Sequence, residues 1–168
     1  MNNIQKKVLS ETNLYYGMVE MPEGFEIDQE KLSSDILQSN LQQKNLKFSI
    51  PWDMLNKYLI EHIRLKYNLN LCNKETFGNI FFPNEKTNLL LQVNKVDLRN
   101  SPDYVLLYGV NAKDCSVIFY YDDNRRKGKS WEIELTTNKF VMFPSICTYQ
   151  IINKNNLNII QTITYEYI

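Results

Sequence analysis

The stretch Ile159-Ile160-Gln161-Thr162-Ile163-Thr164-Tyr165-Glu166-Tyr167-Ile168 decides the fold. Side chains on an extended strand point alternately to two faces. Here Ile159, Gln161, Ile163, Tyr165 and Tyr167 share one face, opposed by Ile160, Thr162, Thr164 and Glu166. Its β-branched and aromatic residues predict a strand. Upstream, the same texture recurs at Phe77–Phe82, Leu89–Val93, Tyr104–Val110, Ser116–Tyr121, Ser130–Leu135, Phe140–Phe143 and Thr148–Ile152. Eight such runs in about ninety residues, broken by polar turns, predict a sandwich or barrel.

Before Thr76 the period changes. Asn13 to Met21 predicts one more strand, closed by Pro22-Glu23-Gly24. Ile27 to Leu41 reads as a helix with Asp28 as its cap and Leu32, Ile36 and Leu41 roughly on one face. Pro51 opens a second helix behind Ser49 as N-cap. Within it Trp52, Leu55, Leu59, Ile63 and Tyr67 recur at spacings of three and four, one apolar stripe that ends at Asn68-Leu69-Asn70. No repeat, linker or low-complexity segment interrupts the chain. The expectation is a single domain over residues 1–168, with a strand and two helices in 1–75 and the β core in 76–168.

The 168 residues, 43% hydrophobic and 23% charged, suit a soluble protein able to fold unaided. Nineteen basic residues balance nineteen acidic ones. This argues against nucleic acid as a partner, because such binders carry a basic excess. The basic run Arg125-Arg126-Lys127 with Lys129 reads as a solvated turn. Zero net charge also removes the self-repulsion that keeps monomers apart, which favours life inside a homo- or hetero-oligomeric protein assembly. Cys72, Cys115 and Cys147 are odd in number and lack CxxC spacing, so they read as reduced intracellular thiols. No run approaches the ~18 apolar residues of a membrane span. The N-terminal MNNIQKKVLSETN has no apolar stretch behind its lysines, so export is not expected. Abundant Asn, Ile, Lys and Tyr fit an AT-rich genome, bacterial or viral.

The C-terminal half of the chain resembles a known family, and the resemblance extends over most of the chain. Phe140-Val141-Met142-Phe143-Pro144-Ser145, a further β run, and then Gln161-Thr162-Ile163-Thr164-Tyr165 are similar to the closing strands of the Fe(II)/2-oxoglutarate oxygenases. The match is to the small prolyl-hydroxylase-like members of phages and marine bacteria. Ser101 to Tyr108, Cys115 to Asp123 and Phe77-Gly78-Asn79 resemble upstream segments of the same proteins. The resemblance implies a double-stranded β-helix: a jelly-roll, cupin-like, mainly β (α+β) fold of two four-stranded sheets, with the two N-terminal helices packed on one sheet. It also implies iron at one mouth, held by two histidines and a carboxylate, and an arginine for the cosubstrate.

Those residues are not here. The distal histidine follows Phe-Pro-Ser by four residues, which places Tyr149 in its position, and the arginine position falls on Ile160. The first histidine and the carboxylate belong between Asn79 and Ser101, where the acidic residues are Glu85 and Asp97 and no histidine occurs. Independently of the family, a facial triad needs two imidazoles, and this chain owns one histidine, His62, inside the second helix. No metal, cofactor or catalytic residue is therefore expected.

Other chemistry has little to stand on. His62, with Glu61 beside it and Asp53 on the same helix, reads as a solvent-exposed or neighbour-bonded side chain. Cysteine catalysis would have to recruit that same histidine. Asp114, Asp122 and Asp123 are the oxygen ligands a hard cation could use, but they read as turn residues leading to Gly128. The candidate interface residues are Tyr120, Tyr121, Arg125, Arg126, Tyr165 and Tyr167, since outward tyrosines and arginines supply binding area.

Three functions compete on this basis. The favoured one is a non-enzymatic structural or scaffolding protein, in its narrower form a virion component made in the host cytoplasm. A small-ligand binder or atypical enzyme using the barrel mouth is the second, and a regulatory pseudoenzyme partner of a true oxygenase the third. A mouth filled with side chains would count against the second.

Overall fold

The structure is a computed structural model that describes residues 7, 11–41, 49–122 and 128–168. Its elements run β1 (Tyr15–Met18), α1 (Gln29–Leu41), α2 (Ile50–Tyr67), β2 (Leu71–Phe81), a 3-10 turn (Leu98–Asn100), β3 (Tyr104–Asn111), β4 (Cys115–Asp122), β5 (Lys129–Leu135), β6 (Lys139–Pro144), β7 (Thr148–Asn153) and β8 (Asn158–Tyr167). All the strand pairs are antiparallel. They make a large sheet in the order β1-β6-β3-β8-β2 and a small one in the order β5-β4-β7.

The strand pattern predicts this arrangement closely. β8 is the decisive element, lying between β3 and β2 in the large sheet. Its Ile159, Ile163 and Tyr165 enter one apolar cluster with α1 and α2, while Ile160 enters another between the sheets. A central strand buried on both faces explains why eight consecutive residues, Asn158 to Tyr165, are buried.

Both helix ends follow their caps. The Asp28 carboxylate accepts the Lys31 amide at 2.8 Å, and the Ser49 hydroxyl accepts the Trp52 amide at 3.2 Å. These side chains satisfy amides that have no partner within the helix. α2 ends on Asn68 in the left-handed region, φ 55°. Leu32, Ile36, Trp52, Leu55, Leu59 and Ile63 then cover one face of the large sheet. Gly78 permits the close approach: a Cβ there would lie 2.5 Å from Ile36 Cγ2.

Three expectations need correction. The sheets hold five and three strands, where two sets of four were expected. β1 adds itself to the edge of the large sheet beside β6. The run Leu89–Val93, expected as a strand, forms no regular ladder. It belongs to a strap along the edge of β7, joined by isolated bridges Lys86–Ile152 and Leu90–Tyr149. Between those bridges the strap advances four residues against three on β7, so one residue is extra and the register breaks. At the break the Thr87 hydroxyl, in place of a carbonyl, accepts the Ile151 amide at 3.0 Å. Finally β2 begins at Leu71, earlier than the boundary at 75/76. Its first residues escape the pattern because it is an edge strand with exposed Asn73 and Glu75 and a register shift between them.

Candidate functional site

The end of the roll where β7 begins is the place to look for chemistry, because the resemblance assigns iron to that mouth. Tyr149 sits there, 2% exposed, with its ring 4.9 Å from Phe143, which in turn packs 4.7 Å from Phe119. Its hydroxyl accepts a hydrogen bond from Gln92 Nε2 at 2.9 Å. Burial pushes the phenol pKa up, so the group is a neutral hydroxyl at physiological pH.

Gln92 is a residue that the sequence pattern does not mark. It lies in the interval where the resemblance places the first histidine, and the structure joins it to the distal-histidine position. A neutral amide–phenol pair therefore spans that mouth. Only the contact with Tyr149 reveals the glutamine's role.

Deeper in the roll, Ile160 is fully buried among Val105, Leu107, Val141 and Ile151. Among the described residues, nothing cationic stands where a carboxylate clamp would be needed. Beside it, Asn79 Nδ2 donates to Thr162 Oγ1 at 2.9 Å, and Thr164 Oγ1 accepts the Glu75 amide at 3.1 Å. The two carboxylates of the ligand interval serve local turns. Glu85 Oε2 accepts the Phe82 amide at 2.6 Å, and Asp97 caps the 3-10 turn through Asn100.

The residues present do not fit an iron centre. Among the described residues, no three His, Cys, Asp or Glu side chains come together to hold a metal ion. His62 is half-buried on the helix-covered face of the large sheet, edge-on to Phe140 and Tyr67 at 6.1 and 6.2 Å. This differs from the exposed or hydrogen-bonded histidine expected. Burial, then Lys66, lowers its pKa, and Glu20 opposes them. Asp114 bonds Asn156 Nδ2 at 2.8 Å in a turn, while Asp123 lies outside the described residues. Cys115 and Cys147 are buried free thiols, and burial raises both pKa values, Cys115 to about 11. Raised thiol pKa values disfavour the nucleophilic thiolate.

The candidate interface residues do not form one surface. Arg125 and Arg126 lie outside the described residues. Tyr121 and Tyr167 are each 53% exposed, but they sit on different sheets. Tyr120 is half-buried, donating to Gln150 Oε1 at 3.3 Å, and Tyr167 shares a 2.9 Å bond with the Tyr104 hydroxyl. Tyr165 is a correction: its ring is fully buried beneath the helices. Alternation places it beside Tyr167 on one face, but only the position of the helices decides which part of that face is covered.

No helix among the described residues is long and apolar enough to cross a membrane. No family model matches the chain, and no curated protein matches its sequence. Solved structures do match its fold. A prolyl-4-hydroxylase from Pseudomonas putida superposes with a TM-score of 0.69 at 11% identity, covering 94% of each chain. Apo HygX from Streptomyces hygroscopicus gives 0.65 at 10% identity, covering 93% of this chain and 83% of that one. The viral collagen prolyl hydroxylase vCPH of Paramecium bursaria Chlorella virus-1 gives 0.64 at 9% identity, covering 92% and 96%. The chain therefore has the jelly-roll fold of the Fe(II)/2-oxoglutarate oxygenases, with Tyr149 and Ile160 where the sequence resemblance places a metal ligand and the cosubstrate arginine.

Proposed function

We propose that this chain is a non-enzymatic structural or scaffolding protein on an oxygenase-like β-helix. One observation carries the reading: the mouth holds the neutral, internally bonded pair Gln92–Tyr149, with Ile160 packed behind it. A facial triad uses imidazole and carboxylate ligands, and a cosubstrate carboxylate needs a cationic partner. Among the described residues the mouth offers a neutral amide and a neutral phenol instead. The apolar contents of the roll also count against a small ligand there, since Phe119, Phe143, Tyr149 and Ile151 fill the space between the sheets.

The narrower form of the reading is a virion component, such as a capsid- or tail-associated protein. The resemblance to phage prolyl-hydroxylase-like proteins and the balanced charge motivate it. Native mass spectrometry of the protein from its source, with metal analysis on the same sample, tests both forms. A stoichiometric assembly without iron is the expected result, and phage particles carrying the chain would establish the narrower form. A free monomer with bound iron would overturn both.

A further inference from the structure

A docking protein needs a surface, and the mismatch between the two sheets supplies one. β5 reads Lys129-Ser130-Trp131-Glu132-Ile133-Glu134-Leu135. Ile133 and Leu135 point into the inter-sheet core, while Ser130, Glu132 and Glu134 are exposed on the other face. Trp131 has the parity of Ile133, yet it is 55% exposed. One edge of β5 pairs with β4; among the described residues the other edge pairs with no strand.

What lies opposite that free edge follows from the packing. Between the sheets, Ile133 and Leu135 of β5, Val117 of β4, Val141 and Phe143 of β6, and Val105 and Leu107 of β3 share one cluster, and β5 lies directly against β6. Because β4 lies on the β3 side of β5, the free edge of β5 points to the other neighbour of β6, which is β1. Tyr16 and Met18 of β1 pair with Val141 and Lys139, so they point toward the small sheet, yet they are 50% and 51% exposed. Strands sit about 4.8 Å apart within a sheet, and stacked sheets about 10 Å apart. One more strand on β5 would therefore lie over β1 and cover Tyr16 and Met18.

We infer that the free edge of β5 is the docking site for an extended segment of a partner protein, apolar on its inward side chains and basic on its outward ones. The inference rests on the non-enzymatic reading and names the partner's chemistry. The outward side is set by charge: Glu132 and Glu134 of β5 are both exposed on that face. A second copy fits poorly. The antiparallel register of full overlap sets Glu132 against its own copy, and like charges directly opposite are destabilising. Main-chain pairing at a sheet edge supplies affinity, and alternate side chains supply selectivity.

The test uses the full chain and two blocked peptides, one alternating lysine with valine and one alternating glutamate with valine, read by Trp131 fluorescence and peptide anisotropy. The lysine peptide is expected to bind at least ~10-fold tighter than the glutamate peptide. E132K/E134K is expected to reverse that preference, and Met18→Lys to weaken the lysine peptide by roughly 5-fold. Glu61→Lys on α2 is expected to change neither. All four changes are at exposed positions, and circular dichroism confirms folding; if E132K/E134K fails to fold, Met18→Lys with the two wild-type titrations decides. No binding, equal binding of the two peptides, or a self-association through β5 would overturn the inference. An inert edge in a chain that still occupies a metal-free assembly would sink the inference alone. Turnover of 2-oxoglutarate would sink the functional reading alone.

Discussion

β7 runs from Thr148, just before Tyr149, to Asn153, and the two ends of the roll that it joins are built differently. At the Asn153 end, side-chain amides stitch backbone turns. Asn158 accepts the Lys113 amide at 2.8 Å and donates to the Lys113 carbonyl at 3.0 Å. Asn153 Nδ2 reaches the carbonyls of Phe81, Phe82 and Asn156, and its Oδ1 accepts from Asn158. At the Tyr149 end, Gln92–Tyr149 and Asn79–Thr162 are single neutral side-chain bonds. The first end holds three turns together through side-chain amides. At the second, the mouth pairs bond side chain to side chain, and the Ser145 hydroxyl, donating to the Pro102 carbonyl, is a single side-chain tie to a neighbouring turn. Stability should therefore be concentrated at the asparagine end, and tolerance to substitution at the mouth.

The largest effect that could break this contrast is at Asn158. Replacing it by Leu removes the partners of both backbone groups of Lys113, an exposed residue, and of the buried Asn153 Oδ1. A loss of about 2–4 kcal/mol is expected by urea denaturation, since a buried orphaned group costs about 1–3 kcal/mol and a hydrogen bond at an exposed one about 0.5–1.5 kcal/mol. A loss below about 1 kcal/mol would erase the difference between the ends.

Tyr149→Phe comes next, and it should be mild. It keeps the ring against Phe143 and removes one hydrogen bond, so about 1 kcal/mol is expected in the same assay. A cost equal to that of Asn158→Leu would mean that the mouth holds the fold as firmly as the other end.

Gln161→Met sharpens the comparison from the helix-covered face. Gln161 is fully buried on the helix-covered face, and among the described residues neither side-chain polar atom bonds to a protein group. A thioether of similar shape should be neutral or stabilising by about 1 kcal/mol in thermal melts, opposite in sign to Asn158→Leu.

The smallest effect is on pH. Burial holds the folded-state pKa of His62 below its ordinary 6.5. Below 6.5 the unfolded chain binds the proton more readily, so stability present above that pH falls as pH drops toward the folded value. His62→Gln should flatten this slope without altering stability at pH 8. An unchanged slope would place the histidine in water.

Much of this was legible in the sequence for a physical reason. β8, β6 and β3 are buried on both faces, and continuous β-branched and aromatic runs mark such strands well. Ser49 and Pro51 announce the start of α2 because capping is local chemistry. What escaped depends on contacts between distant residues. Leu89–Val93 has strand composition, yet one extra residue and the Thr87 hydroxyl turn it into a strap. Asn153 and Asn158 read as codon bias until their bonds are seen. Gln92 is an ordinary glutamine until it meets Tyr149. The lone histidine was countable, and Tyr149 and Ile160 were legible in two of the ligand positions; the bond from Gln92 to Tyr149 was not.

The central claim is that an oxygenase fold here carries neither an iron site nor a cosubstrate site. Anaerobic isothermal titration of the full chain with Fe(II), then with 2-oxoglutarate, tests it most directly. The expected result is no saturable heat for either addition. Stoichiometric iron binding strengthened by 2-oxoglutarate would contradict it and return attention to the mouth around Tyr149.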